Sequence, residues 1–511
     1  MRRTKTLIFA SRFVIVFLGI IAQAAALYVL FYILGQKYAW VHFVSTAIGI
    51  ILFLYIVNKD QPAVYKLPWV ILILIAPLAG VIIYYTFGNV KMSKKQMKNF
   101  RRIYDEHHDG YYKQAEVLEN MQQEKVKGLG TVKYIRSATS LPVFNSSKTT
   151  YLNSGEEFFK SLCEEILKAK EYVFLEYFIV EKGKMLSGVL SALEEVIQKG
   201  VKVYFMYDDV GSITKVRRRF FKELCALGID ARKFGKFVPI ASVIHNNRDH
   251  RKIAVIDGKV GFMSGANIAD EYINQTKPFG RWRDNAIKIE GQATDSLVRL
   301  FIQLFNMCGG KPLEEIDFIE PCHENFLGGY VLPFGDSPYP IDTDHVVETV
   351  YLDIISRAEK YLYITTPYLI VDTNITNALK TAAKRGVDVR IIVPEVPDKK
   401  AVYLLTKSTC KILCDAGVKI YSFRGGFIHS KTVLADGEIA IVGTANFDFR
   451  SLVHHFECAT LLCNTQSIND IYKDFLQLFE YDCAKLAAKD LEIKGFSRLI
   501  KSIIGLFAPL M

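Results

Sequence analysis

Acidic residues are almost missing from the first fifth of this chain. Residues 1–102 hold 13 Lys/Arg and one acid, Asp60, whereas the other 409 residues balance 51 basic against 52 acidic groups. The net charge of +11 is therefore a property of the N-terminal segment. A balanced bulk weakens a nucleic-acid reading, because backbone binding needs several Lys/Arg per footprint. The nine cysteines contain no C-x-x-C pair and are odd in number, and most sit in apolar surroundings. Buried free thiols in a reducing compartment fit that pattern, whereas a disulfide framework does not. Cys410 and Cys414, one helical turn apart, read as core residues on one helix face. With half of the chain hydrophobic and 23% charged, collagen, disorder and a disulfide-stapled miniature are excluded.

Three long apolar stretches lie near the N-terminus, at about Phe13–Leu34, Val41–Val57 and Pro68–Phe87. Each approaches the roughly 20 residues that span a bilayer core. No small-residue cleavage site follows the first, which argues against a removed signal peptide. The run Lys91, Lys94, Lys95, Lys98, Arg101 and Arg102 places its end of the segment on the cytoplasmic side. Arg2, Arg3, Lys5 and Arg12 argue the same for the N-terminus. Three full spans cannot satisfy both clusters, so one stretch is re-entrant or interfacial, or one cluster misleads. The larger cluster sets the expectation of a membrane protein with its catalytic region in the cytoplasm. At the other end, Phe496, Leu499, Ile500, Ile503, Ile504 and Phe507 share one helical face, as in an interfacial helix or a last helix packed on the core.

The bulk reads as a duplication. Tyr172–Val180 is a strand, Lys184–Lys199 a helix and Val201–Tyr207 a strand. The order returns as a strand at Tyr361–Thr366, a helix at Asn374–Arg385 and a strand at Val387–Val393. Alternation of this kind predicts a largely parallel sheet covered by helices. The repeat sharpens at HRKIAVIDGKVGFMSGAN, His250–Asn267, and HSKTVLADGEIAIVGTAN, His429–Asn446. Both fit His-x-Lys-x4-Asp-Gly, then a β-like run and a small-residue turn ending in Asn. The offset is 179 at His, Lys, Asp and Asn alike.

His and Lys two residues apart on an extended chain project to one face. Two such pairs facing each other offer two imidazoles, two ammonium groups and two amides, with no paired carboxylates and no Cys/His metal pattern. That set suits displacement at phosphorus without a metal or cofactor. One His attacks, and the other protonates the leaving oxygen and then deprotonates the incoming alcohol. Lys252, Lys431, Asn267 and Asn446 would hold the phosphate oxygens. Each repeat also supplies a downstream acid that could fix an imidazole tautomer, Asp284 in the first and Glu457 in the second. Asp257 and Asp436 complete the motif and belong to the catalytic signature, yet five residues beyond the Lys they should leave the pocket face and brace turns.

The duplicated motif resembles that of the phospholipase D superfamily. FGRWRDNAIKIEG, NIADEY, TTPYLI and NFDFRS, with three apolar segments ahead, are similar to its bacterial cardiolipin synthase branch. The resemblance implies two α/β repeats packed around one shared active site, preceded by a transmembrane α-helical segment. It implies phosphatidyl transfer between two phosphatidylglycerol molecules at the membrane, giving cardiolipin and glycerol. It makes His250 the nucleophile and His429 the acid and base. His455, in HHFE, departs from the Asn that family members often carry. The expected division is 1–90 membrane segment, 91–135 basic linker, 136–335 first repeat, 336–490 second repeat and 491–511 amphipathic tail. Competing readings are a hydrolytic phospholipase D, a phosphatidyltransferase using another alcohol, a membrane-tethered nuclease and an inactive interaction protein.

Overall fold

The computed structural model describes residues 39–59, 63–87, 114–235, 247–314, 317–319, 328–338 and 345–510, with the single residues 29, 32, 98 and 326. The first apolar stretch and the Lys91–Arg102 run lie essentially outside the described residues.

The described residues divide into two units, of which residues 39–59, 63–87 and 506–510 belong to the first. Here α1 (Ala39–Val57), α2 (Ala63–Ile75) and α3 (Pro77–Phe87) pack on one another through Leu52, Ile56, Ile73 and Tyr84. The third apolar stretch is not one continuous helix. It breaks at Ala76, and the chain folds back so that the Trp69 and Tyr84 rings meet at 5.5 Å. Fifteen residues of unbroken helix would separate them by about 22 Å. Gly80 permits the hairpin, since a Cβ there would lie 2.7 Å from Ile73 Cα. Among the described residues no helix is long and apolar enough to cross a membrane. The expected set of two to three transmembrane helices is not seen in them, and the third stretch is split at Ala76 into α2 and α3. Trp40, Phe43, Ile51, Leu74, Ile75 and Tyr85 of these helices are exposed.

The second unit contains two sheets. The first is built from β1 (Ser147–Leu152), β2 (Tyr172–Tyr177), β3 (Lys202–Asp208), β4 (Asp230–Phe234), β5 (Lys252–Ile256), β6 (Val260–Ser264) and β8 (Ala286–Gly291), in the order β1-β8-β6-β5-β2-β3-β4. Short β7 (Arg281–Arg283) stands apart from it. The second sheet uses β9 (Tyr330–Asp336), β10 (Tyr361–Thr365), β12 (Asp388–Pro394), β13 (Lys419–Phe423), β15 (Thr432–Ala435), β16 (Ile439–Gly443), β18 (Glu457–Cys463) and β19 (Cys483–Lys485). Its order is β19-β13-β12-β10-β15-β16-β18-β9. The small strands β11 (Leu369–Ile370) and β17 (Phe447–Asp448) pair with each other, and β14 (Gly426–Ile428) pairs with β7.

The sheets are mixed rather than largely parallel, which corrects the sequence expectation. Within the two large sheets only β2-β3-β4 and β10-β12-β13 run parallel among the described residues, and the small pairs β11-β17 and β14-β7 are parallel as well. The His-Lys halves are antiparallel hairpins, β5-β6 and β15-β16, because Asp-Gly turns the chain after each motif. Asp257 and Gly258 have φ of 51° and 65°, and Asp436 and Gly437 have 54° and 73°. Asp and Gly are the residues that tolerate this left-handed region. β9 lies within residues 136–335 except for its last residue, Asp336, yet it pairs with β18 in the second sheet.

Two helices lock the repeats together. α4 (Thr294–Met307) is buried from Thr294 to Phe305 because it packs on both β5 and β9. Phe301 stacks on Phe174 at 4.3 Å, and truncating such a buried ring to Ala costs about 3–5 kcal/mol. α5 (Gln466–Gln477) follows β18 and reaches the first sheet, where the Tyr151 hydroxyl donates to Asp474 at 2.9 Å. The final helix, α6 (Phe496–Phe507), buries none of its residues, and Phe496, Leu499, Ile503 and Phe507 are exposed.

Candidate active site

His250 stands two residues before β5 and His429 three residues before β15, and the backbone of each is tied to the other repeat. The His250 N–H donates to Phe456 C=O at 2.9 Å, and the His429 N–H donates to Arg283 C=O at 2.7 Å. In both cases the accepting carbonyl belongs to the residue just before an acid. This register carries the acids across the repeats. His250 Nδ1 lies 2.8 and 2.9 Å from the two carboxylate oxygens of Glu457. His429 Nδ1 lies 2.7 Å from Asp284 Oδ2. The acid downstream in each repeat thus serves the histidine of the other.

All four groups are buried. An imidazole whose Nδ1–H faces a carboxylate keeps its Nε2 lone pair free, as a nucleophile or general base requires. Burial, reinforced by Lys252 and Lys431, pushes the His250 pKa well below its ordinary value. His429 is lowered to about 4 by burial and Lys431, against the pull of Asp284. Burial would raise the Asp284 pKa, but His429 and Lys431 hold it below the ordinary value. Both shifts favour the neutral imidazole at neutral pH.

Lys252 and Lys431 are buried beside them. Lys252 Nζ donates to the His250 carbonyl at 2.5 Å, and Lys431 Nζ donates to the His429 carbonyl and lies 2.9 Å from His429 Nδ1. Burial lowers the Lys252 pKa to about 8 and the Lys431 pKa to about 7. Such ammonium groups gain from an anion placed between them.

The other residues singled out by sequence divide. Asn267 accepts from the Ile179 N–H at 2.9 Å and donates to the Tyr272 hydroxyl at 2.5 Å. Asn446 donates to Asp448 at 3.1 Å. One N–H of each amide thus braces the wall. Asp257 and Asp436, counted with the catalytic signature, are turned away from the pocket and hold turns. Asp257 accepts the N–H groups of Lys170, Glu171 and Tyr172 at 2.8–2.9 Å, and Asp436 those of Glu359, Lys360 and Tyr361 at 2.7–3.0 Å. Their place in the motif is explained by the hairpin turn, not by contact with the reacting groups.

Sequence reasoning missed the residues that seat the acids. Gly265 packs on Asp284, where a Cβ would collide with Oδ1. Thr444, 179 residues later, instead donates its hydroxyl to Glu457. The common offset would have paired these two positions. The aromatic walls were also missed: Phe178 meets His250 at 5.0 Å, while Tyr272 and Trp282 flank His429 at 5.5 and 5.3 Å.

Comparisons with known proteins bear on the family. The family described as "Cardiolipin synthase, PLD-like domain" matches residues 162–306 and 351–481. The family described as "Phospholipase_D-nuclease N-terminal" matches residues 47–89. A cardiolipin synthase of Geobacillus kaustophilus is 38% identical over 72% of this chain and 74% of its own length. Cardiolipin synthase 2 of Bacillus anthracis is 32% identical over 91% of this chain and 89% of its own. An uncharacterized protein of Streptococcus mutans is 37% identical over 90% of this chain and 99% of its own. Phosphatidylserine synthase of Haemophilus influenzae shares the fold at a TM-score of 0.58 and 17% identity, over 74% of this chain and 97% of that one. With both His-Lys pairs in one pocket and these relatives along most of its length, the chain belongs to the phospholipase D-like cardiolipin synthase family and is a phosphatidyltransferase.

Proposed function

We propose that the protein transfers a phosphatidyl group from one phosphatidylglycerol to the glycerol headgroup of another, giving cardiolipin and free glycerol. His250 Nε2 attacks phosphorus, and the P–O bond to glycerol breaks as His429 delivers a proton to that oxygen. The hydroxyl of the second phosphatidylglycerol then loses its proton to His429 and attacks the phospho-histidine, releasing His250. The observation that carries this reading is the crossed pair of His–carboxylate contacts, His250–Glu457 and His429–Asp284. The assignment of attack to His250 and of proton transfer to His429 is the one the family resemblance implies; Asp284 would support the imidazolium that forms when His429 takes a proton.

Lys252 and Lys431, with the remaining N–H of Asn267 and of Asn446, would neutralise the phosphate oxygens. The scheme routes no step through a metal or a cofactor, and it gives nucleic acid no role. The exposed apolar side chains of α1–α3 and of α6 suit contact with a lipid surface, so the protein would work at the cell membrane with its catalytic unit on the cytoplasmic side. The α2–α3 hairpin suits a re-entrant or interfacial segment, one way to reconcile the two basic clusters.

The test is full-length enzyme on vesicles of labelled phosphatidylglycerol, with products separated. The reading expects one glycerol released per cardiolipin formed and no cleavage of added DNA. Phosphatidic acid as the main product would make the enzyme a hydrolase and overturn it.

A further inference from the structure

We propose that His250, Glu457 and His455 form an inhibitory binding site for a borderline-soft divalent cation such as Zn²⁺. One donor atom from each of the three lies within 4.8 Å of the others, and all three residues are buried. The independent observation is His455. It is 7% exposed, yet among the described residues neither ring nitrogen has a hydrogen-bond partner, and Nδ1 stands 3.6 Å from Glu457 Oε1. Leaving a buried polar atom unsatisfied costs about 1–3 kcal/mol, so an imidazole with both nitrogens idle calls for a ligand. Its ring is fixed 5.2 Å from that of His250 and 6.4 Å from Phe178, after a single π-helical turn at Arg450–His454.

Two imidazoles and one carboxylate with a fourth position open are a donor set that holds Zn²⁺. Lys252 and Lys431 repel any cation here, so only metals with strong bonds to imidazole nitrogen can enter. Zn²⁺, Ni²⁺ and Cu²⁺ meet that condition, whereas Mg²⁺ and Ca²⁺, which prefer oxygen, do not. Binding takes the Nδ1 lone pair of His250. The ring stays neutral by moving its proton from Nδ1 to Nε2, so the attacking lone pair disappears while the phosphate pocket stays open. Inhibition should then lower kcat with little change in KM. That kinetic part rests on the reading of His250 as nucleophile, and metal binding itself does not.

The experiment uses full-length enzyme in detergent micelles, titrated with ZnCl₂ by calorimetry and with CoCl₂ by visible absorption. Expected are one equivalent per chain, a tetrahedral Co²⁺ spectrum, and affinity lowered in His455→Asn by more than the ~10–100-fold that loss of a supporting partner costs. Circular dichroism confirms folding of the variant, and His455→Gln provides a second one. Turnover of wild type should fall with Zn²⁺ but not with Mg²⁺, and His455→Asn should resist Zn²⁺. No binding, or equal affinity in both folded variants and wild type, overturns the site. Binding lost in the variants without any effect of Zn²⁺ on wild-type turnover would keep the site, reject its inhibitory role, and count against His250 as nucleophile.

Discussion

Asp284 and His429 lie 145 residues apart in sequence and in different repeats, yet His429 Nδ1 and Asp284 Oδ2 stand 2.7 Å apart in a buried contact. The same arrangement in reverse joins His250 to Glu457. Neither repeat contains a complete His–carboxylate pair of its own, so one repeat alone cannot build either dyad. Asp284→Asn keeps the shape of the contact and removes the charge that fixes the Nδ1–H tautomer. Turnover should fall roughly 10²- to 10⁴-fold, by analogy with loss of the orienting acid in a catalytic triad. The double variant Asp284→Asn with His429→Ala should be no slower than His429→Ala alone, because the two act as a unit. Additive losses in steady-state rates would separate them.

The motif aspartates should behave differently. Asp436→Ala removes three hydrogen bonds to a carboxylate and should destabilise the fold by about 1–3 kcal/mol. The rate per folded molecule should not change. Burial would raise the Asp436 pKa, but those N–H groups and Lys127 hold it below its ordinary value. Its contribution is complete above an unfolded pKa near ~3.9 and is lost as pH falls through the lower folded value. Thermal unfolding across acid pH, wild type against variant, checks the sign; a folded but inactive variant would contradict it.

Much of this was legible in the sequence because it is local. Strands at Tyr172 and Tyr361 and helices after them follow from periodicity, and the shared offset exposed both His-Lys pairs. The crossing of the acids was not legible. Asp284 and Glu457 each sit downstream in their own repeat, and only the backbone bonds His250–Phe456 and His429–Arg283, made between repeats, decide which histidine each meets. The mixed sheet escaped because β-α alternation hides the two hairpins that carry the motifs. The fold-back at Ala76 escaped because hydropathy counts apolar residues without seeing a break.

Gly265 gives a prediction that composition could not. A methyl group there must displace Asp284, so Gly265→Ala should cost nearly as much activity as Asp284→Asn. Thr444→Val deletes the hydroxyl that donates to Glu457, and should slow the enzyme less while leaving it folded. Initial rates of the two variants with circular dichroism alongside decide this. Wild-type activity in Gly265→Ala would show that the acid is not held where its contact requires.

Lysine titration sets the alkaline limit. Burial lowers the Lys431 pKa to about 7 and the Lys252 pKa to about 8. A bound phosphodiester favours their charged forms and raises both values. As pH rises above 7, kcat/KM should fall, and more steeply above 8, whereas kcat should hold to higher pH. A kcat/KM that stays flat beyond pH 9 would mean that the lysines do not bind the phosphate as cations.

The account stands or falls on where phosphorus becomes attached. Full-length enzyme mixed with ³²P-phosphatidylglycerol, quenched in alkali and mapped by peptide, reports the site of any P–N bond. The account predicts a single labelled histidine, His250, with label forming more slowly in Glu457→Gln. Label on His429, or label forming at the wild-type rate in Glu457→Gln and not at all in Asp284→Asn, would contradict it.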